Sequence, residues 1–176
     1  MELKVCKKKD LESLITITQT TYRAHYQYLW KDKGEQYIQA NYSAAALTKE
    51  LKDKNVNLYF ITEADEIYGF LKLQINAPLD HHSAKDALEL ARIYLLKKAM
   101  GKGLGKAVMQ AVREIGLIND KKVIWLKTMD SSDAVQFYQR CGYEICGATR
   151  LVIEGLYPEL QRQLIMKKEI KKQINV

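Results

Sequence analysis

The spacing of hydrophobic positions changes several times along the chain, between the period of helices and the alternation of strands. Residues 1–5 alternate as a strand does. Asp10 is a typical N-cap before apolar residues at helical spacing, which predicts a helix to about Tyr22. An aromatic segment follows, and a second helix is predicted to end near Leu51, before the charged turn 52–55.

The remainder of the chain predicts a sheet that is interrupted by two helices. Runs of β-branched and aromatic residues at 58–62 and 67–75, separated by the acidic turn 63–66, predict an antiparallel hairpin. Residues 88–96 predict a third strand and 104–118 a helix. A strand at 123–127, a short helix at 131–141 and strands at 143–150 and 163–167 complete the expected order, and the lysine-rich segment 167–172 is expected to fray. The order favours a mixed α/β sheet with one strand-loop-helix crossover.

Composition narrows the class of protein. A chain of 176 residues with 47% hydrophobic residues and two prolines is expected to form one compact domain over residues 1–176, without a disordered linker. Neither a long apolar run nor a secretory signal is seen, which predicts no membrane span and a cytoplasmic location. Three cysteines without metal-ligand spacing suit a reducing compartment.

The net charge points to an anionic partner. Lys and Arg number 28 against 21 Asp and Glu, which gives a formal charge of +7. Nucleic acid, an acidic membrane surface and a polyphosphate cofactor are all compatible with this excess, so the charge alone does not choose among them.

Three alternating glycines form the most informative motif. Gly101, Gly103 and Gly105 lie between a predicted strand and a predicted helix, with Lys102 and Lys106 between and after them. Glycine lets a ligand approach the backbone closely, and a helix N-terminus adds free N–H groups and a partial positive charge. This arrangement suits a phosphate or pyrophosphate; the alternative is a turn with no ligand.

Two common phosphate motifs do not fit this loop. A Walker loop needs Ser or Thr after Gly-Lys, but Gly103 and Ala107 occupy those positions. A dinucleotide fingerprint needs a third glycine where Lys106 or Val108 stands. Asp130 could serve as a ribose-binding acid, but the chain is too short for the repeated βαβ halves.

Two segments carry a resemblance to a known family. Residues 100–107 resemble the acetyl-CoA pyrophosphate loop of the GNAT acyltransferases, Gln/Arg-x-x-Gly-x-Gly/Ala, with Gly103 and Gly105 at the small positions and Met100 at the Gln/Arg position. Residues 131–143 resemble the family's segment Asn-x-x-Ala-x-x-Phe-Tyr-x-x-x-Gly-Phe, with Ser131 in place of Asn, where it can still cap a helix. The resemblance covers about residues 56–168.

The resemblance implies an α/β (α+β) fold: a central, mixed, largely antiparallel, splayed seven-stranded sheet flanked by about four helices. Strand 88–96 would separate from strand 123–127 and open a wedge for the pantetheine arm of acetyl-CoA, the implied cosubstrate, with no metal. The residues implied in binding it are Ile93, Tyr94, Leu95, Met100, Gly101, Lys102, Gly103, Leu104, Gly105, Lys106 and Ser131. Lys97, Lys98, Lys102 and Lys106 surround the loop and would attract its phosphates.

Family similarity also assigns two catalytic roles. Tyr138 is implied as the general acid to the departing thiolate, since a phenol with a pKa of about 10 is protonated at neutral pH; the alternative is a tyrosine buried for its ring. Glu89 is the candidate base, and a substrate-orienting or solvated carboxylate is its alternative. Strand alternation places Glu89 on one face with Ala91, Ile93 and Leu95, and places Arg92 and Tyr94 on the opposite, sheet-packing face.

The acceptor is predicted from the aromatic segment. Five aromatic residues could line a slot for an alkyl amine, or simply pack on the sheet: Tyr22, Tyr26, Tyr28, Trp30 and Tyr37. Residues 88–94 and 164–168 look similar to bacterial spermidine/spermine acetyltransferases, which suggests a polyamine or another small primary amine. A polyamine would need an acidic mouth that includes Glu89, because the chain is basic overall.

Other functions stay open at this point. The acceptor could be a protein N-terminus or lysine, and the chain could bind acetyl-CoA without catalysis. A nucleic-acid-binding module is disfavoured, because the aromatic residues cluster where lysine is sparse. His81 and His82 are not expected to bind metal, and a homodimer, common in the family, is possible.

Overall fold

A computed structural model describes residues 1–171 of the chain. In this range the structure has seven strands and five α-helices. The strands are β1 Glu2–Val5, β2 Val56–Glu63, β3 Glu66–Gln74, β4 Ala87–Leu95, β5 Val123–Met129, β6 Glu144–Arg150 and β7 Arg162–Glu169. The helices are α1 Leu11–Tyr26, α2 Glu35–Tyr42, α3 Ala44–Lys52, α4 Leu104–Ile118 and α5 Ala134–Arg140.

The strands form one mixed sheet in the order β1-β2-β3-β4-β5-β7-β6. Strands β4 and β5 run parallel because α4 connects them, and the other neighbouring pairs are antiparallel. The parallel pair is short: it extends from Ala87 opposite Val123 to Glu89 opposite Trp125. Beyond Glu89 the two strands separate, so the predicted fold with its splayed sheet is confirmed.

The β2–β3 hairpin turns tightly on two acidic-loop residues. Ala64 and Asp65 both have positive φ, 48° and 63°. This is the backbone of a two-residue turn whose twist matches that of the flanking strands, although glycine is more usual there. On its other edge β3 pairs with β4, whose residues line the site.

Each face of the sheet has its own apolar core. Helices α4 and α5 cover one face, where Leu88, Val108 and Leu126 are almost fully buried. Helices α1–α3 cover the other face, where Leu14, Tyr42 and Phe70 have no exposed surface. The opening between β4 and β5 therefore lies between two packed layers.

Several predicted boundaries differ from the structure. The second predicted helix is divided in two, since Ser43 is extended and its hydroxyl accepts a hydrogen bond from the Ala46 N–H at 3.4 Å. The predicted fraying of the lysine-rich end is wrong for Lys167 and Lys168, because β7 continues to Glu169 and the next residue, Ile170, is buried. The end of that segment, residue 172, lies outside the described residues.

Candidate active site

A β-bulge in β4 determines which side chains face the site. The register with β3 shifts between Lys72 and Leu73, so that Ala91 is an extra residue in β4. Ile93 and Leu95 consequently pack with the α4 and α5 layer, whereas Tyr94 packs with the α1–α3 layer. The prediction that Glu89 shares a face with Ile93 and Leu95 is therefore wrong.

The corrected alternation places Glu89 beside residues that were expected to face away from it. Glu89, Arg92 and Tyr94 line the same cavity on the α1–α3 side of the sheet. As a result β4 lines two chambers: Ile93 and Leu95 line one, Glu89 and Arg92 line the other, and Tyr94 lines both.

The first chamber is a channel of about 470 Å³ in the opening between β4 and β5. Seven of the residues predicted to bind acetyl-CoA or act in catalysis line it: Ile93, Tyr94, Leu95, Met100, Gly105, Ser131 and Tyr138. Its walls come from β4, α5 and the end of α1. The surface of the channel is mainly apolar, which suits a thioester arm.

The glycine loop opens beside this channel at the start of α4. Gly101 and Gly103 have φ of 75° and 72°, and a side chain at either position would meet only open space. Gly105 is different: it is helical, and a Cβ atom there would lie 3.2 Å from the Phe137 ring. The first two glycines therefore shape the backbone, while Gly105 permits α4 to approach α5.

The backbone N–H groups at this helix start are the available phosphate donors. The Ala107 N–H donates the first hydrogen bond within the helix, to the Gly103 carbonyl at 3.1 Å. The N–H groups that come before it at the helix start have no acceptor within the helix. The Leu104 side chain is buried against Tyr68, so its backbone alone is available. Gly103 and Lys106 also line a second groove of about 760 Å³, with Arg113, Arg140 and Lys168.

Two of the four predicted phosphate-attracting lysines are engaged elsewhere. Lys98 forms an ion pair of 2.9 Å with Glu66 and lies 4.6 Å from the centre of the Tyr68 ring. Lys102 donates to the Tyr68 hydroxyl at 3.2 Å. Lys106, which lines the second groove, is better placed to meet a phosphate.

Ser131 lines the channel. Its hydroxyl is 3.0 Å from the Tyr28 hydroxyl, which joins the segment after α1 to the segment before α5. The expectation that Ser131 caps the helix is wrong, because α5 begins at Ala134 and Ser132 accepts a hydrogen bond from the Ala134 N–H at 3.2 Å. On the same side, His25 Nε2 donates to the Leu95 carbonyl at 2.8 Å and ties α1 to β4.

Tyr138 lies on α5, and its side chain lines the channel. The residue is 8% exposed and its ring lies 6.0 Å from Tyr143. Burial raises the pKa of the Tyr138 phenol well above 10, with smaller contributions from Tyr143 and Cys141. The hydroxyl group is therefore protonated throughout the physiological range.

The second chamber is a polar cavity of about 240 Å³ on the other face of the sheet. Tyr26 and Tyr94 line both chambers, with ring centres 5.2 Å apart. Burial raises the pKa of the Tyr26 phenol, and the nearby Tyr138 phenol acts in the same direction. The Tyr26–Tyr94 pair is thus a wall that the two chambers share, close to Tyr138.

Glu89 lines this polar cavity at the point where β4 and β5 separate. Burial raises the pKa of its carboxyl above the ordinary value of 4.5, although Lys127, Lys72 and Arg92 act in the opposite direction. A partly desolvated carboxylate is a stronger base than one in water.

A buried ion-pair network forms one wall of the cavity. Glu50 on α3 pairs with both Arg92, at 3.0 Å, and Lys72. The three side chains are 18%, 13% and 9% exposed. Burial lowers the pKa of Lys72, and the nearby Arg92 acts in the same direction. Two cations share one carboxylate, so the network carries a surplus positive charge.

The aromatic segment divides its residues between two tasks. Tyr22, Tyr26 and Tyr37 line the polar cavity, and Tyr28 lines the thioester channel. Trp30 is buried and donates from its indole nitrogen to the Tyr22 hydroxyl at 2.9 Å. Part of the segment lines cavities, as the amine-slot hypothesis requires, and part packs in the core.

Other predicted features lie outside the two chambers. His82 is 3.3 Å from Glu169, a carboxylate that the sequence did not place near it. Within residues 1–171 no cluster of three or more His, Cys, Asp or Glu side chains could hold a metal ion. The three cysteines are free. None of the helices in the described range has the length and apolarity needed to cross a bilayer.

Sequence reasoning missed the residues that surround Glu89. Glu50, Lys72 and Lys127 come from three distant parts of the chain. One signal was available: Lys72 interrupts an otherwise apolar strand, and a lysine at a buried strand position requires a partner.

Comparison with known proteins agrees with this geometry. The family model described as "Acetyltransferase (GNAT) family" matches residues 13–143, and the chain belongs to that family. An uncharacterized N-acetyltransferase in the pepI 3′ region of Lactobacillus delbrueckii subsp. lactis is 27% identical over 140 residues, which cover 77% of this chain and 79% of that protein.

Solved structures share the fold. PaiA N-acetyltransferase from Thermoplasma acidophilum, crystallised with coenzyme A, aligns with a TM-score of 0.73 and 19% identity over 96% of this chain and 99% of that chain. Spermidine/spermine N-acetyltransferase SpeG from Vibrio cholerae aligns with a TM-score of 0.66 and 17% identity over 96% and 91%. At this identity the likeness shows the fold and does not select an acceptor.

The chain is thus an acetyl-CoA-dependent acetyltransferase of the GNAT type. Its residues fit the cosubstrate: the glycine loop leaves open space beside free N–H groups, and the channel next to it has a mainly apolar surface.

Proposed function

We propose that this protein, as one domain over residues 1–176, transfers the acetyl group of acetyl-CoA directly to a primary amine. The observation that carries the proposal is that two chambers share the residues Tyr26 and Tyr94: one chamber suits a thioester arm, and the other contains a carboxylate. A cytoplasmic location and a homodimer stay predictions from the sequence.

Acetyl-CoA is proposed to be held by the backbone of residues 101–106 and by the channel residues Ile93, Tyr94, Leu95, Met100 and Ser131. When bound, it supplies an acyl group activated as a thioester. The chain itself needs to position that group at the junction of the chambers and to move protons on either side of it.

Glu89 is proposed to accept the proton of the incoming amine, directly or through water. Its raised pKa brings it closer to the range in which a carboxylate accepts a proton at neutral pH. Tyr138 is proposed to donate its phenolic proton to the departing sulfur. Because burial keeps that phenol protonated, the donor is present at every pH where an amine acceptor is reactive.

We propose that the acceptor amine is a small molecule that binds in the second chamber. A polyamine is the acceptor that sequence similarity suggests, and protein N-termini or lysines are the other class. The cavity supports neither strongly: at about 240 Å³ it is below the roughly 300–1,000 Å³ of drug-sized sites, and cations predominate on its walls.

The proposal is tested with two measurements on the same preparation. Calorimetry with acetyl-CoA measures binding, and release of the CoA thiol is then followed with a panel of primary amines. We expect acetyl-CoA to bind in a way that depends on the glycine loop, and we expect CoA thiol to be released only when an amine is present. Binding without release for any amine would instead support a non-catalytic acetyl-CoA sensor, and no binding would refute the assignment.

A further inference from the structure

The polar cavity beside Glu89 has more positive than negative charge. Its lining includes Lys72, Arg92 and Lys127 as cations and Glu89 as an anion. Glu50 does not line the cavity, but it adds one carboxylate because it pairs with Lys72 and Arg92. Three cations therefore face two carboxylates, and protonation of Glu89 would increase the imbalance.

The cations keep free donors after their internal contacts are made. Among the described residues, the hydrogen bonds from Arg92 to side chains use one guanidinium nitrogen, Nη1, and both go to Glu50. A guanidinium has five N–H donors, so these bonds leave several donors on Arg92 without a side-chain acceptor among the described residues, and Arg92 lines the cavity. Lys127 is exposed, and its ammonium group lies 5.4 Å from the Trp125 ring.

Uncharged groups of the lining can also donate. Gln74 and Gln163 carry amide groups that both donate and accept. A ligand that brings several acceptor oxygens would match this lining, whereas a ligand that brings only ammonium groups would meet one carboxylate and three cations. The buried cations Lys72 and Arg92 share the single Glu50 carboxylate, so a further anion in the cavity is favoured.

We infer that the acceptor is a small amine that also carries an oxyanion, a carboxylate or a phosphate, bound by Arg92 and Lys127 while its amine faces Glu89. This inference rests on the proposed function and names its substrate class. An arginine fork binds carboxylate or phosphate oxygens in pairs, which would orient the amine toward the junction of the chambers.

Matched amines test this inference. Thiol release from acetyl-CoA is measured with 4-aminobutyrate against its uncharged amide, with O-phosphoethanolamine against ethanolamine, and with spermidine. We expect kcat/KM for the preferred anionic amine to exceed that of its neutral partner by roughly 10- to 100-fold, the usual effect of a charge-assisted hydrogen bond. The two anionic amines distinguish carboxylate from phosphate.

Two variants connect the preference to the cavity. Lys127→Glu reverses the charge of an exposed side chain and is expected to abolish or invert the preference, and Arg92→Lys is expected to weaken it because the planar fork is lost. Lys4→Gln, at an exposed lysine on β1 far from the cavity, serves as the matched control and should leave it unchanged.

The outcomes separate this inference from the proposed function. If neutral amines or spermidine react as well as the anionic amines, the inference is overturned and acetyl transfer stands. If acetyl-CoA binds but no amine releases thiol, both fail. An anionic preference that persists unchanged in Lys127→Glu and Arg92→Lys would also overturn the assignment to this cavity.

Discussion

Removal of the Tyr138 hydroxyl tests the proposed proton donor with little disturbance of the fold. Tyr138→Phe deletes one oxygen and keeps the ring that packs against Phe137 and Tyr143. Because the ring provides the buried apolar surface, we expect the free energy of unfolding to change by less than about 1 kcal/mol.

The expected catalytic loss is much larger than the loss of stability. A positioned acid or base contributes roughly 10²- to 10⁴-fold to the rate. Since Tyr138 lines the channel where the sulfur would leave, kcat at saturating acetyl-CoA and amine is expected to fall by that factor, which corresponds to about 3–5 kcal/mol. Binding of acetyl-CoA should stay within about twofold, as the glycine loop is unaltered.

The assay is continuous detection of CoA thiol, supported by calorimetry and a thermal melt. Tyr143→Phe is a matched control, because Tyr143 is 5% exposed and contacts Tyr138 but does not line the thioester channel. The reasoning is refuted if Tyr138→Phe keeps the wild-type kcat, or if Tyr143→Phe loses as much activity.

Three further predictions concern Glu89, Glu50 and the glycine loop. Burial raises the pKa of Glu89 above 4.5, so the folded chain binds a proton there more tightly than the unfolded chain and loses stability as pH rises through the raised pKa. Glu89→Gln should therefore have a higher Tm than wild type at pH 8 and the same Tm below about pH 4. The variant should also lose the acid limb of the pH–rate profile. Glu50→Gln should leave two buried cations without a carboxylate and lower the free energy of unfolding by roughly 3–5 kcal/mol in a denaturant titration. Gly103→Ala should lower the free energy of unfolding by roughly 1–2 kcal/mol, because φ is 72° there, and should weaken acetyl-CoA binding as measured by calorimetry. Gly155→Ala, where φ is 84° at a position away from the loop, should lower the free energy of unfolding alone.

Each of these has an outcome that contradicts it. An unshifted acid limb in Glu89→Gln would remove Glu89 from the mechanism, even if the variant gained stability. Wild-type stability in Glu50→Gln would mean that the network is solvated. Equal acetyl-CoA affinity for both alanine variants would argue against a phosphate site at the glycine loop.

The features predicted correctly from the sequence are those that depend on local patterns. The glycines at 101–105 and the segment 131–143 each lie within one short stretch, so their local pattern indicates a glycine loop before α4 and a second helix, α5. The hairpin and the strand-loop-helix crossover have local turn and periodicity signals, and the sheet order follows from the family resemblance.

The features that could not be predicted depend on contacts between distant segments. The bulge at Ala91 is a property of the register between β3 and β4, and strict alternation therefore assigned Glu89 to the wrong neighbours. The pairing of Glu50 with Lys72 and Arg92 joins α3, β3 and β4, for which the sequence contains no local pattern. These contacts determine the charge of the acceptor cavity.

Transfer of an isotope-labelled acetyl group tests the central claim most directly. The protein is mixed with acetyl-CoA labelled in the acetyl group and with the amine panel, and mass spectrometry follows both the amine and the released CoA. The account predicts one labelled amide for each CoA thiol, with transfer slowed in Tyr138→Phe and Glu89→Gln. Bound acetyl-CoA that leaves every amine unlabelled would contradict it.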